Sequence, residues 1–321
     1  QGAGGFKEID DVSIAEPLTK YSASITDGTR ISEFVDRAWR IATSGYPGPV
    51  HLSMPVDIMF SSFTEENSLA ERPYSSKAPE SFRAWPEPKA LKRTLEIIKN
   101  SRKPIIIGGH GVWWSKTEHL LKIIGDEIKI PIFNVPYHQK LLNEDCEAFL
   151  GLADVHQYHP SKFAFNESDC ILMVGGKLDN QMNFGNPPLF PSDTKLICVN
   201  GSHEEIEFNR SADHLLLSDP GAFFESLLDL KHTNQWSYDP VWLDTNLKER
   251  EKWISASITD LEKTTDSPAW SGGKIHPLQL SLSVQNVMKN DDILVFDGGN
   301  THFWSEIAVN IAGKNGLSLH Q

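Results

Sequence analysis

"KPIIIGGHG", residues 103–111, drives three consecutive isoleucines into a glycine-rich turn, and its reading decides the fold. An apolar run with no polar face suits a strand covered on both sides, and the glycines let the chain leave it sharply. Next comes "SKTEHLLKIIGDEIK", with apolar residues at helical spacing, and then a second apolar run, "IPIFNVP" (130–136). Strand, turn, helix, strand in that order form a parallel βαβ unit. Further apolar runs at "DCILMVGGK" (169–177), "KLICVNG" (195–201) and "HLLLSD" (214–219) alternate with helical segments such as "PGAFFESLLDL". Residues 90–231 are therefore predicted to be an α/β domain, a doubly wound parallel sheet with a Rossmann-like arrangement.

Outward from this domain the pattern changes. Residues 61–89 are rich in Ser, Pro and charge without a sustained period and read as a linker. Before them, residues 1–60 hold an amphipathic helix, Thr29 to Thr43, with Thr29 placed to cap it and Gly45 to end it in a left-handed turn. "PVHLSM" (49–54), bracketed by prolines, is predicted to be one buried strand. After the central domain, residues 232–271 read as a charged connecting helix and linker. Residues 272–321 open one more α/β unit: a helix around "PLQLSLSVQNVMKN", a strand in "DDILVFDGG" and a helical start in "THFWSEIAVNIA". The first residue is Gln1 and the last, Gln321, follows closely on that helix, so both ends are read as cut from a longer polypeptide.

Composition narrows the function classes. A length of 321 residues suits two or three domains, and a net charge of -13 repels nucleic acid and anionic membrane surfaces. The sequence contains no continuous apolar run of about 18 residues. Cys146, Cys170 and Cys198 are odd in number and lie in or beside apolar runs, so they read as buried thiols, with the cytoplasm as the default compartment.

Ligands of open α/β sheets sit beyond the carboxyl ends of the strands. Three glycine-rich loops fall there. Gly108, Gly109 and Gly111 could let backbone approach a phosphate or ribose, or could simply make a tight strand-to-helix turn; a full dinucleotide fingerprint is not present. Gly175 and Gly176 are followed by Lys177, Asp179 and Asn180, where Lys177 could meet a phosphate or lie in solvent. In "DGGNTHFW" (297–304), Gly299, Asn300 and Thr301 stand at a helix start, where unsatisfied N–H groups favour an anion. The alternative is a plain helix cap, and Asp297 would oppose an anion if turned inward. His156, His159 and Asp154 suggest a metal, but without a fitting fourth ligand they read as a polar loop, and Cys170 as a packed sheet residue.

One longer motif joins these pieces. Gly45, Pro47, Gly48, Pro49, Val50, Leu52, Pro55 and Asp57 follow the pattern G-x-P-G-P-V-x-L-x-x-P-x-D. This resembles the close of the pyrimidine-binding domain in thiamine diphosphate enzymes of the acetolactate synthase and 2-hydroxyacyl-CoA lyase type. "KIHPLQL" is similar to the entry of that family's diphosphate-binding domain, and "DGGNTHFW" to its loop over the diphosphate, with Trp304 in a matching place. "GGFKEID" resembles a loop usually written Phe-Gln-Glu: Phe6 and Glu8 match, and Lys7 stands where Gln is expected. In "GGKLDNQMNFGNPP", closest to the acyl-CoA lyase branch, Lys177 stands where Arg is usual, and Asn200 replaces an acid at the end of "ICVN".

The resemblance implies thiamine diphosphate with magnesium, a 2-keto acid or 2-hydroxyacyl substrate, and an ADP, an FAD or no nucleotide on the central domain. It also implies a homodimer or homotetramer. The catalytic glutamate and the Gly-Asp-Gly magnesium motif are expected outside residues 1–321, so this chain by itself is expected to show no turnover. A reading of a different class is a non-catalytic nucleotide-binding module.

Overall fold

The computed structural model describes residues 4–6, 8–62, 83–135, 141–142, 145–156, 158–207, 209–234, 236–270, 272–289, 292–296, 298–312 and 317–320. The chain divides into two units, Gln1–Phe82 and Arg83–Gln321.

In the larger unit, six strands form one parallel sheet: β3 (Pro104–Gly108), β4 (Ile132–Asn134), β5 (Phe149–Leu152), β6 (Cys170–Val174), β7 (Lys195–Asn200) and β8 (His214–Leu217). Their order is β5-β4-β3-β6-β7-β8. Chain order thus runs outward one way from β3 and then outward the other way from β6, which puts the topological switch point between these two strands. The doubly wound α/β class read from the sequence is the observed one. Side chains alternate between two cores, as a pleated strand requires. Ile106, Leu172, Ile197 and Val199 face a layer holding Leu121, Ile124, Phe223 and Phe224. Ile105, Ile107, Ile171 and Met173 face Tyr158, Phe165 and Phe190. On that second face Phe165 stacks on Phe190 at 4.9 Å and meets Phe133 edge-on at 5.3 Å.

The helices of this unit are α4 (Pro88–Asn100), α5 (His110–Trp114), α6 (Glu118–Ile128), α7 (His159–Glu167), α8 (Pro220–Asn234), α9 (Val241–Thr265), α10 (Pro277–Val287) and α11 (Asn300–Ala312). The long α9 is anchored at its first turns, where Trp242, Leu243 and Asn246 are buried and the Trp242 indole donates to the Pro104 carbonyl at 3.0 Å. Beyond them, β9 (Ile293–Phe296) pairs in parallel with β10 (Leu317–His320), and α10 packs on α11. The sequence reading passed over β5: "FLGL" is short, and Gly151 interrupts it with a φ of 115°.

In the smaller unit, β1 (Ser22–Ser24) pairs in parallel with β2 (His51–Ser53), with α1 (Asp11–Ala15), α2 (Ile31–Thr43) and α3 (Val56–Met59) around them. Two local expectations are corrected. The turn entering α2 is capped by Asp27, which accepts from the Thr29 N–H and hydroxyl at 2.9 and 2.7 Å, so Thr29 is the capped residue and not the cap. A carboxylate two residues upstream accepts more strongly than a hydroxyl can. The strand is shorter than "PVHLSM", and all three of its residues are half-buried. Gly45 does take a left-handed turn, with φ 59°. Residues 63–82 of the expected linker lie outside the described residues.

Cys146, Cys170 and Cys198 are buried and unpaired. Burial pushes their thiols up to about 11, about 12 and about 11 respectively, which leaves them protonated and inert. Among the described residues no helix is long and apolar enough to cross a membrane.

Candidate functional site

At the switch point the loop after β3 and the loop after β6 interlock through bare backbone. The Gly109 N–H donates to Val174 O at 2.9 Å and the Gly111 N–H to Gly175 O at 2.8 Å. A Cβ on Gly109 would stand 2.5 Å from both Gly175 O and Gly176 Cα, and one on Gly111 would stand 2.8 Å from Gly175 Cα. Gly175 also holds a φ of 66°. These glycines are required by the closeness of two chain segments, and the amides of Gly109 and Gly111 are directed at β6 and its loop. Gly108 is likewise crowded, with Leu141 Cδ1 at 2.7 Å from where its Cβ would be.

Polar side chains gather on this interlocked backbone. Asn200, at the end of β7, donates to Gly176 O at 3.5 Å and accepts from the Ser202 N–H at 3.1 Å, tying two loops together. Lys177 pairs with Glu205 at 3.3 Å. Asp179 accepts from the Gln181 N–H at 3.0 Å, and burial holds its carboxyl above the ordinary range. The chain then makes a left-handed turn through Asn183, Phe184 and Gly185, with φ of 49°, 54° and 74°. Left-handed backbone at two residues carrying a Cβ costs roughly 1–2 kcal/mol each, so the surrounding loop must over-determine it.

His110 opens α5 at this crevice, and burial, helped by the Lys177 charge, takes its imidazole down to about 4. The ring is neutral at physiological pH. Its linkage has a definite sign: with the folded value below the unfolded one near 6.5, stability is fully present above pH 6.5 and declines as pH falls toward 4. Replacing His110 by glutamine is expected to flatten the melting temperature across that window, measured by calorimetry, while leaving the values above it little changed.

A second place lies at the start of α11. β9 ends at Phe296, and Gly298, Gly299, Asn300 and Thr301 follow it, all exposed. Gly299 has a φ of 79°, and a Cβ on Gly298 or Gly299 would meet nothing within 4 Å. Open space over a glycine turn that feeds a helix of 13 residues, whose first amides have no partner within the helix, suits a diphosphate. The residues present therefore fit the group. Trp304, one turn on, meets the His276 ring edge-on at 5.0 Å.

The other readings from sequence fall out as follows. Phe6 is 96% exposed, in the smaller unit, and Glu8 accepts from the Gly5 N–H at 2.8 Å. Lys7 and Asp297 lie outside the described residues. Asp154 is buried and accepts from the His156 N–H at 2.7 Å; among the described residues no group of three such side chains could hold a metal ion. Sequence reasoning missed Glu205, which needed the fold to bring it to Lys177, and His110, hidden inside the glycine run it punctuates. It also passed over Glu306, whose one signal was an acid set among apolar residues in "SEIAVNIA".

Comparison with known proteins now carries the assignment. The family described as "Thiamine pyrophosphate enzyme, central domain" matches residues 91–227, the six-stranded sheet with most of its helices. Its central domain is that of the thiamine diphosphate-dependent enzymes. Likeness to known enzymes extends well past that domain. It is 25% identical over 318 residues to 2-hydroxyacyl-CoA lyase 1 of Dictyostelium discoideum, covering 94% of this chain and 53% of that protein. It is 26% identical over 307 residues to the acetolactate synthase large subunit of Lactococcus lactis, covering 94% of this chain and 50% of that one. The chain therefore spans about half the length of the curated relatives it matches.

Proposed function

We propose that the protein carrying this chain is a thiamine diphosphate-dependent carboligase or decarboxylase acting on a 2-keto acid or 2-hydroxyacyl substrate, acetolactate synthase-like in kind. The observation that carries this reading is the exposed turn Gly298–Gly299 running into the first residues of α11, on a chain whose central domain is that of the family. When bound, thiamine diphosphate supplies the nucleophilic carbon and the electron sink. The chain's own part is to hold it. The first-turn amides of α11 and the side chains of Asn300 and Thr301 would take the diphosphate, and Gly299 would keep the approach clear. Phe6 and Lys7 would act near the catalytic channel. No Gly-Asp-Gly run occurs in this sequence, so none of its residues is assigned to magnesium.

The central sheet is proposed to carry ADP or FAD at the switch point, with Lys177 toward a phosphate and Asn200 toward a ribose hydroxyl. Gly108, Gly109, Gly111, Gly175 and Gly176 form the floor of that crevice. Occupation would require Lys177 to turn from Glu205. A homodimer or homotetramer fits the family, and buried, unpaired cysteines support a cytoplasmic setting.

A second reading, a 2-hydroxyacyl-CoA lyase or oxalyl-CoA decarboxylase-like enzyme, is favoured by the likeness to the Dictyostelium lyase and by the loop "GGKLDNQMNFGNPP". Assay of the full protein with thiamine diphosphate and magnesium separates the two. Turnover of pyruvate supports the first, and cleavage of a 2-hydroxyacyl-CoA supports the second. Tight ADP or FAD binding with neither activity and no affinity for thiamine diphosphate would leave only the nucleotide-binding module.

A further inference from the structure

The helix that starts at the proposed diphosphate turn is fastened, further along, to the edge of the central sheet. Asn310 on α11 accepts from the Leu152 N–H of edge strand β5 at 3.1 Å and donates to the Glu306 carbonyl oxygen at 3.1 Å. The approach is close enough that a Cβ on Gly151 would lie 2.6 Å from Asn310 Oδ1, and Gly151 has the φ of 115° that glycine tolerates. One turn back, Glu306 is 2% exposed, and neither carboxyl oxygen has a hydrogen-bond partner among the described residues. His302 Nε2 stands 3.3 Å from Glu306 Oε2, and His302 is 7% exposed. The buried Asp154, in the loop that follows β5, adds a second carboxylate whose charge is felt at both.

We propose that Glu306 is a positioning residue that must stay protonated: as a neutral acid enclosed beside His302 it lets α11 seat on β5, and its ionisation loosens α11 from the sheet edge. A carboxylate in this place, almost wholly out of solvent, would be desolvated and would feel the charge of Asp154. Burial, reinforced by Asp154, accordingly raises Glu306 to about 8, and burial keeps His302 neutral by lowering its value. Among the described residues, the titratable groups that act at the site are His302 on the same helix and Asp154 after β5. α10 and β9 carry no titratable side chain within their spans, and His276 ahead of α10 lies against Trp304. The sign follows: with the folded value raised from 4.5 to about 8, the stabilisation of the seat is fully present below about 4.5, declines as pH rises and is lost through the folded value. Because α11 begins at Asn300, loosening it would also weaken the hold on the diphosphate, a consequence that rests on the function proposed above.

Hydrogen exchange of the α11 amides in the full chain, corrected for intrinsic base catalysis, tests this without cofactor. Protection in the unaltered chain should fall by about tenfold or more between roughly pH 6.5 and roughly pH 9.5, and in Glu306→Gln it should stay within about threefold. An equal fall in both chains overturns the proposal, and so does constant protection in the unaltered chain, which decides the matter even if the variant does not fold. Titration with thiamine diphosphate over the same range then addresses the cofactor. Absence of binding at every pH would refute the diphosphate reading and leave the exchange result to judge Glu306.

Discussion

Alanine at Gly109 should destabilise the larger unit by about 3 kcal/mol, the upper end of what an added methyl costs in a packed interior. The cost is high because nothing near it can yield. The new Cβ would lie 2.5 Å from Gly175 O and 2.5 Å from Gly176 Cα, both backbone atoms of the loop after β6. That loop is itself held by the Gly175 N–H on Val199 O at 2.8 Å and by Asn200 on Gly176 O. Relief therefore demands that β3 and β6 part at the switch point, breaking the Gly109 bond to Val174 O and the Gly111 bond to Gly175 O. Chemical denaturation of the two proteins measures the difference. Alanine at Gly201 is the control, since the nearest atom to its added Cβ is 4.0 Å away, and it should cost far less.

Aspartate in place of Asn300 should lower affinity for thiamine diphosphate by about 100-fold while leaving the fold intact, because two like charges would meet where the amide now stands. The opposite signs of its two effects make the test sharp. A carboxylate in the first turn of a helix favours the helix dipole by a few tenths of a kcal/mol, so the melting temperature should hold or rise slightly. A loss of binding together with a loss of stability would point to a merely structural Asn300. Isothermal titration and calorimetry on the same preparation give both numbers.

Much of this molecule can be read from its residues, and the parts that cannot have physical reasons. β3, β6 and β7 are legible because a strand buried on both faces has no polar side to confuse its period. β5 is not, since four residues with a glycine among them carry too little pattern. The glycines of "GGHG" and "GGK" stand out in the sequence, but their reason, mutual contact across the switch point, needs two loops about 65 residues apart to be placed side by side. The same limit hides the pairing of Lys177 with Glu205 and the seat of Asn310 on Leu152. Glu306 shows the limit most plainly: an acid within an apolar helix looks like a solvated face until the fold encloses it.

The most direct test of the account is the structure of the full-length protein with thiamine diphosphate and magnesium bound. The diphosphate should lie against the start of α11, within hydrogen-bonding distance of the amides following Gly299 and of Asn300 or Thr301. A diphosphate bound elsewhere, with Gly298 to Thr301 facing no ligand, would contradict it.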